Sequence, residues 1–474
     1  MAFIDRATPP SGAVRSEFNV HSTLMGPGAA RQVAALIVPP ASPHNGDRVS
    51  QHIESQPTHS GSLGRLTSFE FRHYFYVDLL LVSVAAVLPW STTAVDTLMV
   101  VWLLALIPLA PSLDLRAFLQ VCSSPTALAP IALVVLAAVG TLWADAPWHD
   151  RLRGFGPVGR LLIMPLLFYH FQRSPRGMWV FAGFLISCSL LLVLSWIVLF
   201  FPALKPAVTA SDGVPVKNYI DQSQEFSLCL LALLPVVMML FRQRRYWAAG
   251  GCAALVAGFL ANMAFVASAR AALLYLPVLL VLFAFTHLAR RTAALLLVAT
   301  IVLGTVIGFS SPYLKARFSA IAIEYHEYEL NIPASTGRRL EYWQKSLGFI
   351  AESWVFGHGT GATKTLFARE AEGKTGLAGE VTPNPHNQTL NVAIQWGLAG
   401  VVVLYAMWLS HLFLFRGESL ANWIGLLVVA QNMLSSLLNS HLFDTVEGWI
   451  YVIGVGVAGG VCLTRDSKHC TEQQ

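Results

Sequence analysis

The chain has 474 residues, of which 55% are hydrophobic and only 12% charged, and its mean hydropathy is +0.58. A soluble domain carries about 25% charged residues, so too little polar surface is present to face water and most of the chain must face lipid. The net charge of +5 is modest and spread along the chain, which argues against nucleic acid as a partner and makes more sense as topology information.

In chain order, residues 1–64 are rich in Pro, Ser, Gly and His. Their one short apolar run, Val33 to Val38, is too short and too late for a signal-peptide core, and the segment reads as a disordered cytoplasmic tail. From Tyr74 onward apolar runs follow in quick succession. A bilayer core takes roughly 20 apolar residues as a helix. The candidate spans are 75–91, 95–111, 126–143, 156–171, 178–202, 224–241, 247–265, 270–287, 292–310, 387–412, 419–438 and 444–463. Span 156–171 carries Pro157 and Arg160 near its start. The expected architecture is an all-α polytopic membrane protein of about twelve transmembrane helices. Helices one to nine occupy 75–310, a loop or cap 311–385, helices ten to twelve 386–463, and a second cytoplasmic tail 464–474.

Charge supports this map. With the N-terminus inside, the inner connections hold Arg116; Arg173 and Arg176; Arg242, Arg244 and Arg245; Arg290 and Arg291; Arg416; and Arg465 with Lys468. Every one carries arginine, the positive-inside pattern. Both termini are therefore expected in the cytoplasm and the long 311–385 loop, about seventy-five residues, outside. Within it Gly337–Ile350 has helical periodicity, with Leu340, Trp343, Leu347 and Ile350 on one apolar face, so a small folded cap is expected. The six cysteines show no C-x-x-C spacing and none lies in that loop, so neither a disulfide framework nor a zinc site is expected.

Basic residues on the outer side run against the topology rule and need a reason. Arg160 and Arg270 lie within or at the end of spans, where an arginine costs roughly 2.5–3.5 kcal/mol on insertion scales and usually faces a cavity or the bundle interior. For Arg160, snorkelling to the interface is an equally open reading. Arg270 is flanked by Ala267, Ser268, Ala269, Ala271 and Ala272, small neighbours that let a ligand or another helix approach. Arg151, Arg153 and Lys217 are each explained, taken singly, as solvated loop charges.

Where the long loop returns to the membrane the chain reads Pro383–Asn384–Pro385–His386–Asn387–Gln388. Two prolines fix the backbone ahead of a histidine at a helix start; an ordinary N-terminus capped by Asn384 or Asn387 is the plainer reading. No Asp-x-Asp, HExxH or nucleophile-elbow motif is present, Gly357–Gly361 follows no βαβ unit, and acids in the spans are scarce, which weakens a proton-coupled transporter.

His386–Asn387, nine residues from Gln388 to Trp396, then Gly397–Leu398–Ala399–Gly400 resembles the His-(Asn/Ser/Gln)-x9-Gly-x-x-Gly pattern of the O-antigen ligases. Gly337–Arg338–Arg339, Trp343 and Gly357–His358–Gly359–Thr360–Gly361 resemble the loop signature of the wider ligase and polymerase superfamily. The resemblance covers roughly 75–463 and leaves the N-terminal tail outside.

It implies a bacterial inner-membrane glycosyltransferase with a periplasmic active site, an undecaprenyl diphosphate-linked polysaccharide as donor and lipid A–core oligosaccharide as acceptor. No cofactor, metal or ATP is expected. The departing diphosphate gains negative charge, which fixed arginines meet well because they stay protonated and offer a bidentate fork. Arg270, with Arg160 and Lys217, are the candidates. Arg151, Arg153, Arg338 and Asn387 complete the expected donor and acceptor contacts. His386 is the expected general base, since imidazole titrates near neutral pH. An O-antigen polymerase or a protein O-glycosyltransferase would use the same donor, and the charge pattern does not separate them, although the histidine–glycine spacing favours the ligase. A flippase for lipid-linked sugar is a reading of another class. It should show functional charges through the bundle depth and would need neither cap nor the His386 motif.

Overall fold

The computed structural model describes residues 68–209 and 211–472; the expected tail over 1–64 lies outside them. Among the described residues the regular elements are all helical. They are α1 (Ser68–Val87), α2 (Thr92–Leu106), α3 (Leu115–Ser123), α4 (Pro125–Gly140), α5 (Trp148–Gly159), α6 (Ile163–Phe171), α7 (Gly177–Phe200), α8 (Tyr219–Arg242) and α9 (Tyr246–Phe265). There follow α10 (Arg270–His287), α11 (Arg290–Ser310), α12 (Pro312–Glu329), α13 (Ser335–Glu352), α14 (Thr363–Glu370), α15 (Gln388–Leu414), α16 (Leu420–Ser435) and α17 (Thr445–Glu472). The protein is an all-α polytopic membrane protein. Among the described residues eight helices are long and apolar enough to cross a bilayer, and a ninth is added if α3 and α4, bent by 77°, form one span. Two further apolar helices, from His73 to Val87 and α16, are shorter.

The expected span 156–171 is broken. α5 starts early, at Trp148, and a 3-10 turn at Arg160–Leu162 separates it from α6. Pro157, inside α5, lacks the N–H that a continuous helix needs. Capping side chains end the open backbone elsewhere: Asn218 accepts from Ile220 (2.8 Å) and Asp221 (3.0 Å), and Ser311 accepts from Leu314 (3.1 Å).

Acids are also better represented inside the bundle than the span map implies. Asp78, Asp221, Glu225 and Glu447 are all buried. Two of them have cationic partners, as lipid-facing charges would not. Asp78 accepts from Ser174 (2.7 Å) and Arg176 (3.0 Å) and bonds His170 (2.7 Å). Glu225 pairs with Lys217 (3.4 Å).

The segment 311–385 folds into α12, α13 and α14. The expected helix at 337–350 is present as α13, but its buried stripe differs by about one position. Tyr342, Ser346 and Phe349 are buried, while Leu347 is 61% exposed. Tyr342 and Phe349 set the register: with Phe367 of α14 and Ile394 of α15 they form a small core of their own, and burying two aromatic rings outweighs burying one leucine.

This core seats the cap on α15 beside a break in that helix. Gly397 has φ 58 and ψ −152 in its middle. The backbone groups released by the break find partners in the glycine-rich segment. His358 and Gly359 donate to the carbonyls of Ile394 and Gln395 (both 2.8 Å), and Leu398 and Ala399 donate to those of Trp354 (2.8 Å) and Val355 (3.2 Å). Four exchanged bonds replace helical ones, as a membrane-embedded break requires.

A Cβ at Gly397 would lie 2.4 Å from the Val355 carbonyl, and a left-handed residue other than glycine costs about 1–2 kcal/mol before any clash. Gly397→Ala is expected to lower the thermal midpoint of the purified protein markedly. Gly304→Ala, with open space around it, should leave it unchanged. Equal midpoints for the two variants would remove Gly397 from the architecture.

Candidate functional site at the junction of cap and bundle

His386 stands at the start of α15 with φ 55, a left-handed conformation that a non-glycine residue holds only when its surroundings fix it. They do. Asn384 Oδ1 accepts from the His386 backbone N–H (2.9 Å) and the Ser440 hydroxyl (2.7 Å), and Trp343 Nε1 donates to the Pro385 carbonyl (3.1 Å). The imidazole stacks on Tyr342, centroids 6.2 Å apart, and its Nδ1–H donates to Asn439 Oδ1 (2.6 Å). That bond selects the tautomer in which Nε2 keeps its lone pair. Burial holds this histidine below the ordinary 6.5; the Asn439 bond opposes the shift and the nearby Arg339 charge reinforces it. Neutral imidazole, the form that can take a proton, is favoured.

A second imidazole lies behind the first. His441, 1% exposed, takes a hydrogen bond on Nδ1 from Gln224 (3.0 Å), and its buried Nε2 has no partner among the described residues. Burial, then the charges of Arg339 and His386, push it down to about 3.

Three arginines gather around Tyr219 at the head of α8. Arg317 lies over its ring at 4.6 Å, and Arg270 and Arg339 both lie within electrostatic reach of it. Arg270 forks onto Glu324 (2.7 and 2.5 Å) and donates to the Thr336 hydroxyl (3.0 Å). Arg317 is committed to the Tyr313 hydroxyl and the Ser268 carbonyl (both 3.2 Å). Arg339 is half-buried and has no hydrogen-bond or ion-pair partner among the described residues; burial lowers its affinity for the proton. It sits close enough to Arg270, Glu324, His386 and His441 for each to feel its neighbour's charge. Arg339 thus links the two candidates singled out in the sequence, Arg270 and His386.

The other candidates are placed elsewhere or are engaged. Arg160 clamps the turn before α17, donating to the carbonyls of Asp444 (3.0 Å) and Thr445 (3.1 Å). Lys217 is tied to the Leu88 carbonyl and to Glu225. Arg151 closes its own loop through the carbonyls of Ala146 and Thr141 (both 2.8 Å), and Arg153 is exposed. Arg338 pairs with Glu380 on the surface (3.0 Å). Asn387 caps α15, accepting from Leu390 and donating to the Leu437 carbonyl (both 3.0 Å). Among the described residues no group of three or more His, Cys, Asp or Glu side chains is arranged to hold a metal ion.

Residues 255–405, which contain Arg270, Arg339 and His386, match the family model described as O-Antigen ligase. This stretch is about a third of the chain, and over it the chain is similar to that family. The chain is also similar to an uncharacterized protein of Haemophilus influenzae, 28% identical over 156 residues. That alignment covers 31% of this chain, which spans 39% of the relative's length.

Within this stretch the sequence points to Arg338, yet Arg339 is the arginine within electrostatic reach of both histidines. The signal was present: residue 339 is four before Trp343 and shares its helix face, whereas residue 338 does not. Arg317, Thr336 and Tyr219 carried no comparable mark. Asn439 and His441 lie in the turn before α17, beyond any local pattern that includes His386.

The Arg270 guanidinium, more than the Thr336 bonds, holds the Glu324 carboxyl well below its ordinary 4.5, at about 2. A carboxyl depressed by folding stabilises the fold above its unfolded value and loses that effect as pH falls through the folded one. Acidifying from about pH 4.5 to about pH 2 is expected to lower the hydrogen-exchange protection of α12 and the start of α13, measured against the rate of the unstructured chain at the same pH. In Glu324→Gln that protection should be low already at neutral pH and respond less to acid. The same acid response in both proteins would show that the pair does not hold the cap.

Proposed function

We propose that this protein is a membrane glycosyltransferase that moves O-antigen polysaccharide from undecaprenyl diphosphate onto lipid A–core oligosaccharide, at the periplasmic face of the bacterial inner membrane. The observation that carries the reading is the grouping of Arg270, Arg317 and Arg339 with His386 at the junction of cap and bundle, inside the ligase-family domain. The positive-inside pattern of the connections supports a periplasmic cap, with both termini in the cytoplasm.

In the proposed reaction, Nε2 of His386 removes the proton from an acceptor hydroxyl as that oxygen attacks the anomeric carbon. The bond from that carbon to the diphosphate oxygen breaks, and its electron pair leaves with the diphosphate. A single displacement inverts the anomeric centre. The leaving group's charge is met by guanidinium groups already in place and partly desolvated, where fixed charge lowers a barrier most. Arg339 is the cation with spare donors. Asn439 keeps His386 in the tautomer that accepts a proton at Nε2. The linkage to diphosphate stores the energy, so no nucleotide is required.

The test is purified protein incubated with lipid-linked polymer and core acceptor, without nucleotide or added metal. Polymer joined to core is expected; polymer lengthened without core attachment would assign the protein to the polymerases instead. His386→Ala should lower turnover by about 10²–10⁴, the usual contribution of a general base. Arg339→Ala should lower it by about 10²–10³, as for loss of one preorganised donor. Wild-type turnover in either variant would displace that residue from the mechanism.

Because the folded environment lowers the proton affinity of His386, log kcat/KM should rise with pH, with a midpoint below 6.5, and then level. A midpoint above neutrality would point to a different base.

A further inference from the structure

Glu324 is held by an unusually complete set of donors. Its carboxylate accepts two N–H groups from Arg270 (2.7 and 2.5 Å), the backbone N–H of Thr336 (3.0 Å) and the Thr336 hydroxyl (2.5 Å). Arg270 also donates to that hydroxyl oxygen (3.0 Å), which turns its proton towards the carboxylate. The Thr336 N–H belongs to the first turn of α13, an 18-residue helix. A planar fork, a hydroxyl and a first-turn N–H converging on one point form the donor set that receives a phosphoryl group as readily as a carboxylate. Two observations mark the set as more than a clamp. The carboxylate lies within electrostatic reach of a second arginine, Arg339, besides Arg270, and the buried Arg270 Nε has no partner among the described residues. Arg339 itself has no hydrogen-bond partner among the described residues.

We propose that Arg270, the Thr336 N–H and the Thr336 hydroxyl form the binding site for a phosphoryl group of the lipid-linked donor, and that Glu324 is its displaceable internal occupant. This rests on the transferase reading and adds two residues to it, Thr336 as a donor to the diphosphate and Glu324 as the competitor the diphosphate must replace. On arrival of the donor the carboxylate leaves, the four hydrogen bonds pass to phosphate oxygens, and Arg339 supplies the additional cation that a diphosphate needs. No covalent step is involved. The site is closed by its own anion until a stronger one arrives, and donor affinity is reduced by the fraction of molecules in which Glu324 is in place.

The experiment varies undecaprenyl diphosphate-linked polymer at saturating core acceptor, using the full chain, with inorganic pyrophosphate as competitor. Glu324→Gln removes the competing charge and is expected to lower the donor KM and the pyrophosphate inhibition constant by about tenfold each. Thr336→Val keeps the N–H and the volume but loses the hydroxyl. It should raise the donor KM by about tenfold, the effect of one hydrogen bond to a charged group, and leave the acceptor KM unchanged. If Glu324 serves only to fasten the cap, Glu324→Gln will raise the donor KM or leave it unchanged, and the proposal is overturned. Should that variant fail to purify, Thr336→Val decides alone, and an unaltered donor KM counts against the site. A wild-type protein that transfers nothing would remove the transferase reading and leave the site to direct binding. Labelled pyrophosphate held more tightly by Glu324→Gln would then support it; equal or weaker binding would overturn it.

Discussion

The hydrogen bonds exchanged across the break at Gly397 are the constraint from which the rest of the architecture follows. A helix in the bilayer has no water to satisfy a released N–H or carbonyl, so it can break only where protein supplies the missing partners. Here the partners are backbone groups of residues 354–359, which obliges the cap to lie directly against α15. Once the cap is held there, Tyr342 and Trp343 of α13 reach the start of the same helix, where they stack on His386 and bond the Pro385 carbonyl. The glycine spacing downstream of the histidine is therefore part of how the histidine is positioned.

Electrostatics follow from the same docking. α10, α12 and α13 each bring one arginine to the head of α8, and the Glu324 carboxylate pairs with Arg270 and lies within reach of Arg339. Like charges gathered in a partly desolvated place raise the free energy of the resting protein and are tolerated when an anionic ligand compensates them. The two imidazoles are kept neutral by burial and by the neighbouring Arg339. A neutral base beside fixed cations suits a reaction in which a proton is taken up at one point while negative charge develops at another.

Much of this was legible in the residues. Hydropathy gave the all-helical membrane class, because apolar runs of about 20 residues cross a bilayer as helices, whereas barrel strands are short and alternate. The break at Arg160–Leu162 was foreshadowed by Pro157, although the local pattern did not decide whether that proline kinks or ends a helix. The cap helix was visible by its period, yet its face was misjudged by about one position. Aromatic burial between two elements distant in sequence chose Tyr342 and Phe349 over Leu347. Similarly, Lys217 and Arg160 look like free outer cations along the chain, and only folding shows Glu225, Leu88 and the turn at Asp444–Thr445 answering them.

The sequence by itself determined that this is a multi-helix membrane protein with a folded segment before the tenth apolar run, and that His386 begins a helix followed at fixed spacing by glycines. These are local properties, set by hydropathy, backbone stiffness and charge order over stretches of a few turns. Tertiary structure alone decided which cations share a neighbourhood with that histidine. Arg339 instead of Arg338, Asn439 as the partner of Nδ1, His441 behind it and Glu324 across from Arg270 all depend on contacts between segments tens to hundreds of residues apart. The physical reason is that charges act through space at a few ångströms, while sequence records only their separation along the chain.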